Sequence, residues 1–460
     1  MKLGLLPLGR PTFDVPYAEE KLAGMLEVLE QTGVTLIGPK TLLFDGDATR
    51  AAMADIATQS PDAVLILQVT FTDAAMTVAA ANAFADLPLH IWAVPEPRLG
   101  GRLRLNAFCG LNLASHALGL SGRAFGWLYA DPTAPDAAAD LGAMLAGKRM
   151  SGRLEAAEPA TPDAPGQALA ARLQGRRIAK IGAHPDGFDT CAYDGPRLKA
   201  LTGLGVDDIA LATLFDTARA MPAEAATALR ATADGQLDGL AEVDADQLDK
   251  SLRLKLALDK LRADHAYDAF AIRCWPETFT EYGGAVCGPV SMLGEARIPC
   301  ACEADVYGAA TQLLMQEAAG DVVFLADLVD IDPADNTGVL WHCGQAPASM
   351  AAARPSATIH TNRKMPLLFE FTLKPGPVTL CRISQAHGAP KLILSFGEML
   401  TADMAFTGTS GTIRFDRPAG DVMADVIASG LEHHMCLAYG DHRETLRGAA
   451  AAMGLGVLEI

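Results

Sequence analysis

The sequence predicts an α/β protein: two doubly wound parallel-sheet domains followed by a β-rich, barrel-like C-terminal domain. Three observations carry this expectation. Short apolar runs alternate with amphipathic, Ala-rich stretches over the first two thirds of the chain, as strands linked by crossover helices do. A Pro-rich polar segment at 158–166 interrupts the alternation with a linker composition. Beyond about residue 350 the runs turn β-rich and are punctuated by Gly/Pro turns, as in antiparallel sheets. The length agrees, since 460 residues exceed one ordinary domain of roughly 150. With 50% hydrophobic residues, the chain can fill such cores and is not disordered.

The domains are expected at 1–155, 170–348 and 349–460. In the first, strands are read at Lys2–Pro7, Thr35–Gly38, Ala63–Gln68 and His90–Val94, with helices at Ala18–Gln31, Thr49–Gln59 and Asp73–Ala83. In the second, Arg177–Ile181, Ala269–Arg273 and Val322–Leu325 read as strands, and Pro196–Leu204, Thr217–Ala233 and Ala245–Ala263 as helices. In the third, Phe369–Leu373, Val378–Ser384, Lys391–Glu398 and Gly411–Phe415 read as strands, with a closing helix near Asp441–Met453 and a final strand. Ligands of such parallel sheets sit at the carboxyl ends of the strands, which makes the loops at 8–14 and 68–73 candidate binding loops. No G-x-G-x-x-G follows the first strand, so no dinucleotide site is expected.

The charge balance is 37 Lys+Arg against 55 Asp+Glu, a net of −18. That argues against nucleic-acid partners and anionic membrane surfaces, both of which select basic patches. The nine cysteines are scattered without a C-x-x-C pair, which suits a reduced, cytoplasmic setting. The apolar N-terminal run is broken by Pro7, too early for a signal peptide. No apolar stretch approaches the ~20 residues of a membrane span.

Potential ligands concentrate between Cys302 and His342. Glu303 and Asp305 follow the apolar run Ile298–Cys302, Asp327 follows Val322–Ala326, and His342 follows Val339–Trp341. Side chains at successive strand ends can converge, and carboxylates with one or two imidazoles suit Mn²⁺, Mg²⁺ or Co²⁺ rather than structural zinc. Asp305 can equally be the cap of a helix over Val306–Glu317, and Asp330, Asp332 and Asp335 read as a solvated acidic stretch. A second cluster is Glu432-His433-His434. Neighbouring residues on a strand face opposite ways, so only one of the two histidines is expected to enter a shared pocket.

Taken together, these segments resemble the L-fucose isomerase and L-arabinose isomerase superfamily. Cys302-Glu303-Ala304-Asp305 is similar to the family's C-E-x-D segment, Asp327 falls where the fucose branch has a metal-binding aspartate, and Trp341-His342 falls where the arabinose branch has a histidine ligand. Glu432-His433-His434 with Tyr439-Gly440 resembles the segment that completes the metal site, and His434 is the better match to the ligand. The resemblance implies Mn²⁺-dependent (or Co²⁺- or Mg²⁺-dependent) aldose–ketose isomerisation of a free sugar through a cis-ene-diol. Glu303 and Asp327 would serve as metal ligands and proton-transfer pair, with His434 and His342 on the metal. It further implies substrate contacts from Arg10, Phe13, Gln68, Asp186, Trp275 and His433, and a homo-oligomer. Asp327 follows the fucose branch and His342 the arabinose branch, so the resemblance does not choose the sugar. An epimerase or aldolase using the same ene-diolate, or a non-catalytic sugar-binding protein, remain alternatives.

Overall fold

The computed structural model describes all of Met1–Ile460. Three sheets organise it. The first contains β1 (Lys2–Leu8), β2 (Thr35–Ile37), β3 (Ala63–Gln68), β4 (Leu89–Ala93) and β5 (Gly126–Tyr129) in the order β2-β1-β3-β4-β5, all parallel. Its central strands are continuous apolar runs and β3 is buried at every residue, because helices cover both faces of such a sheet. The helix Ala107–Leu120 was not legible in the sequence. Every residue from Ala107 to Leu118 is buried, and a helix buried all round shows no amphipathic stripe.

The second sheet contains β6 (Arg177–Ile181), β7 (Gly205–Ile209), β8 (Ala269–Ile272) and β9 (Cys300–Ala301) in the order β7-β6-β8-β9, again parallel. The single helix expected over Thr217–Ala233 is two, Leu211–Arg219 and Ala223–Asp234. Pro222 stands between them and disfavours helical backbone at the residue before it.

The third sheet contains β10 (Phe324–Asp332), β11 (Thr337–His342), β12 (Ser356–Thr358), β13 (Leu368–Thr372), β14 (Gly376–Ser384), β15 (Lys391–Met399), β16 (Thr409–Phe415), β17 (His434–Tyr439) and β18 (Gly456–Glu459). Strands β16-β11-β10-β17-β14-β15 are neighbours in that order. Because β15 also pairs with β16, those six strands close on themselves, giving the barrel-like unit. The run at Val322–Leu325 was expected in the second sheet. It instead opens β10, which pairs antiparallel with β11 and β17. The tight turn at 333–336 makes β10 and β11 a hairpin, and a hairpin cannot be built into an all-parallel sheet.

Two other expectations change. Asp330 is not solvated: it is 2% exposed and accepts hydrogen bonds from Tyr129 Oη and Arg98 Nε. The Pro-rich segment at 158–166 is not a free tether. Ala157 bridges Val457, and the helix Ala164–Ala171 packs on the helix Arg443–Ala452. At their contact a Cβ on Gly166 would lie 2.1 Å from the Gly448 backbone, so only glycine permits the approach. No helix is long and apolar enough to cross a membrane.

The chain leaves β1 for the edge strand β2 and returns to β3, and it does the same at β6, β7 and β8. Each reversal opens a crevice at the strands' carboxyl ends. Loops after β1, β3, β6, β8 and β9 meet there against barrel strands β10, β11 and β17, and their meeting point is a cleft.

His90 on β4 is 3% exposed and its Nδ1 has no partner. Burial pushes its pKa from 6.5 down to about 4. The unfolded chain therefore takes up a proton before the folded one does. Stability from this residue is complete above pH 6.5 and is lost as pH falls toward 4. Denaturant titrations at pH 7.5 and 4.5 should show a smaller acid-induced loss for His90→Leu than for the wild type.

Candidate active site

Glu303 lies just past β9, in a turn where Glu303 and Ala304 both adopt left-handed backbone, with φ of 59° and 53°. Such conformations cost non-glycine residues about 1–3 kcal/mol and collect at functional sites. The turn brings the carboxylate between two donors: Oε1 accepts from Trp275 Nε1 at 3.0 Å and Oε2 lies 3.0 Å from His433 Nε2. Burial favours the neutral acid. The His433 hydrogen bond, with the nearby His433 and His434, outweighs it and lowers the pKa to about 2. Glu303 is therefore ionised at neutral pH.

Two residues on, Asp305 is fully buried and serves three partners. It caps the helix Val306–Ala319 through Gly308 N–H at 2.8 Å, as one of the sequence readings proposed. It takes both terminal nitrogens of Arg382, at 2.5 and 3.0 Å. It also lies 2.8 Å from His434 Nδ1. Burial opposes its charge, but Arg382 and His434 prevail and hold its pKa well below the usual carboxylate range. An ionised carboxylate only accepts, so His434 Nδ1 carries the ring proton. The other ring nitrogen, His434 Nε2, faces the site, 3.4 Å from Asp327 Oδ1 and 3.8 Å from Glu303 Oε2.

Asp327 sits directly across from His434 in the β10–β17 ladder. Burial first, and then the charges of Glu303 and Asp305 against the pull of His434, push its pKa up to about 7. His342, at the end of β11, accepts the Cys343 N–H at Nδ1, at 2.8 Å. Burial lowers its pKa to about 3, so the ring is neutral with its proton on Nε2. It stacks on His434, with centroids 5.6 Å apart.

Asp327 Oδ1, His434 Nε2 and His342 Nε2 are buried without any hydrogen-bond partner. Orphaned polar atoms are costly; a cation held between Asp327 Oδ1 and His434 Nε2 would satisfy both, while His342 Nε2, which carries its proton, is placed to donate beside it rather than to ligate. The ligand atoms of Asp327, His342 and His434 lie within 4.8 Å of one another, as do those of Cys191, Glu303, His433 and His434. Burial keeps the Cys191 thiol protonated. The usable donors are thus carboxylate oxygens and imidazole nitrogens, a set suited to a divalent ion such as Mn²⁺, Co²⁺ or Mg²⁺.

Of the residues singled out in the sequence, Arg10, Phe13, Trp275, Glu303, Asp327, His342 and His433 line the cleft, and His434 stands behind Asp327. Gln68 does not reach it. Its amide donates to Thr70 O and Thr72 Oγ1 at 2.7 and 2.9 Å and braces the loop after β3. Asp186 is exposed on a turn outside the cleft lining. Both His433 and His434 face Glu303, contrary to the one-histidine expectation. His433 precedes β17, and alternation holds only within the strand. Sequence reading missed Arg382, although a cation inside the apolar run Val378–Ser384 signals a buried acidic partner. It also missed the loop residues His360, Asn362 and Arg363, which line the cleft and carry no local pattern.

The chain is similar to known sugar isomerases. The family model described as "Fucose/sulfoquinovose isomerase, N-terminal domain" matches residues 4–153. The chain is 30% identical over 458 residues to a sulfoquinovose isomerase of Alkalicoccus urumqiensis, covering 99% of this chain and 98% of that one. It is 30% identical to a sulfoquinovose isomerase of Priestia megaterium, covering 96% and 95%, and 28% identical to one of Clostridium sp. strain MSTE9, covering 99% and 98%. Fold, site and relatives together define a sugar aldose–ketose isomerase. The chain belongs to the fucose isomerase-like family.

Removing one partner of a buried ion pair leaves the other charge uncompensated, at a cost of about 3–5 kcal/mol. Arg382→Met should therefore lower the unfolding free energy by that order. Adding Asp305→Asn to Arg382→Met should cost clearly less than the sum of the two single losses, in a denaturant double-mutant cycle.

Proposed function

We propose that the protein is a divalent-metal-dependent isomerase that interconverts an aldose and its ketose through a cis-ene-diol, and that its substrate is sulfoquinovose, a glucose with a sulfonate at carbon 6. The observation that carries this reading is the convergence of Glu303, just past β9, the unpartnered Asp327 Oδ1 within β10 and the unpartnered His434 Nε2 at the start of β17. The substrate follows the names of the relatives that match over nearly the full chain.

Glu303, Asp327 and His434 would hold the ion, with His342 beside them. When bound, the ion supplies Lewis-acid stabilisation of the negative charge that develops on adjacent sugar oxygens. Glu303, ionised and fixed by Trp275 and His433, is the base that takes a proton from the carbon next to the carbonyl. Asp327 is the second carboxylate of the transfer pair, so that a proton leaves one carbon and is returned to its neighbour. His342 presents its Nε2–H as a donor to a substrate oxygen. Phe13, Phe71, Phe188 and Trp275 give the cleft an apolar wall. The nine free cysteines support a reduced, cytoplasmic setting, and the homo-oligomer rests on the family resemblance alone.

Glu303→Gln should fold like the wild type, yet lose ketose formation by a factor on the order of 10²–10⁴. Wild-type turnover should stop with chelator and return with Mn²⁺. Full activity in the variant or in the chelated enzyme would contradict the reading, and carbon–carbon cleavage products would move it to an aldolase.

A further inference from the structure

The cleft holds a cation that nothing in the protein neutralises. Arg363 lies on the loop between β12 and β13 and lines the cleft. Its guanidinium has no ion pair among the salt bridges of the chain and no side-chain hydrogen bond; only its backbone N–H is engaged, with His360 Nδ1 at 3.3 Å. The loop is held in place. His360 Nδ1 also accepts Asn362 N–H at 3.2 Å, and Arg102, behind the loop, donates to Asn362 Oδ1 and to Thr12 O, each at 3.0 Å. Arg363 is thus presented by a braced segment.

A second guanidinium adjoins the same indole. Arg10 and Arg363 each lie 5.7 Å from the Trp275 ring centroid. Arg10 is paired with Asp73. Asp73 is the one carboxylate paired with either guanidinium, so Arg10 and Arg363 together carry one positive charge that no ion pair balances. Burial and then the proximity of Arg10 depress the Arg363 pKa, which records the same unrelieved repulsion. Two cations beside one indole in an aromatic cleft are a costly arrangement unless an anion joins them.

We propose that Arg363, with Arg10 beside it, is the seat for the sulfonate of the substrate and sets the preference for a sugar with a monoanionic tetrahedral group at the end remote from the carbonyl. The inference rests on the isomerase reading for the direction in which the sugar lies. Trp275 supplies that direction: its Nε1 contacts Glu303 while its ring adjoins both guanidiniums. A sugar with its carbonyl end at Glu303 therefore places its far end by Arg363. The planar fork of a guanidinium matches two oxygens of such a group. One surplus charge matches a sulfonate, whereas a phosphate monoester, at about −1.5 to −2, would leave negative charge uncompensated.

The experiment compares Mn²⁺-loaded wild type, Arg363→Met and Arg363→Lys on sulfoquinovose, 6-deoxyglucose and glucose 6-phosphate. Wild type should prefer sulfoquinovose to both others. In Arg363→Met the ratio of kcat/KM for sulfoquinovose over 6-deoxyglucose should fall by about 10–100-fold, the worth of a hydrogen bond to a charged group, chiefly through KM. Arg363→Lys should recover part of the ratio. An unchanged ratio in Arg363→Met, or a wild type that prefers the neutral or the phosphorylated sugar, overturns the seat. Calorimetric titration with sulfoquinovose reads the seat without turnover. If no sugar is turned over but binding weakens in Arg363→Met alone, the isomerase reading fails and the seat stands. Equal binding by wild type and Arg363→Met overturns the seat whatever the turnover.

Discussion

The site depends on one buried charge. Asp305 cannot reach water, so its carboxylate must be satisfied from within, and the protein does so from three directions. The start of the helix Val306–Ala319, the fork of Arg382 on β14 and the ring of His434 on β17 all converge on it. Each partner comes from a different element, so the carboxylate ties the exit of the second sheet to two barrel strands. It also decides chemistry. By accepting the Nδ1–H of His434 it leaves Nε2 to face Asp327 and Glu303. A carboxylate that orients a histidine in this way fixes both the tautomer and the aim of a metal-binding ring.

Around that anchor the three sheets divide the work. The barrel is the rigid floor, because hydrogen-bonded register places Asp327 opposite His434 and leaves little freedom for either. The two parallel sheets contribute loops from their topological reversals, carrying Arg10 and Phe13 from one and Trp275 and Glu303 from the other. Rigid strands thus hold the groups that need fixed spacing, and loops supply the groups that read the substrate. The left-handed backbone at Glu303 is consistent with this division. The strain is tolerated where Trp275 and His433 hold the carboxylate from both sides.

What was legible in the sequence follows the same line. Glu303 and Asp327 were found because each follows an apolar run, and His434 through its position ahead of Tyr439-Gly440 in a segment that resembles the family's metal site. The one-histidine expectation failed because period-2 alternation starts only at His434, one residue after His433. Asp330 was misread because its partners, Arg98 and Tyr129, are more than 200 residues away. The placement of β10 in the barrel hangs on the hairpin with β11, which local periodicity does not specify. Arg363 had no signal at all, since its meaning lies in the absence of a partner, and that appears only when the loop is set against Arg10 and Trp275.

The most direct measurement of the central claim is the location of the ion itself. Crystals grown with Mn²⁺ and measured at the manganese absorption edge should give one dominant anomalous peak in contact with Glu303, Asp327 and His434 Nε2, with Asp305 outside the coordination sphere. A peak held by other residues, or none at saturating Mn²⁺, would contradict the assignment of these three side chains and the role given to Asp305.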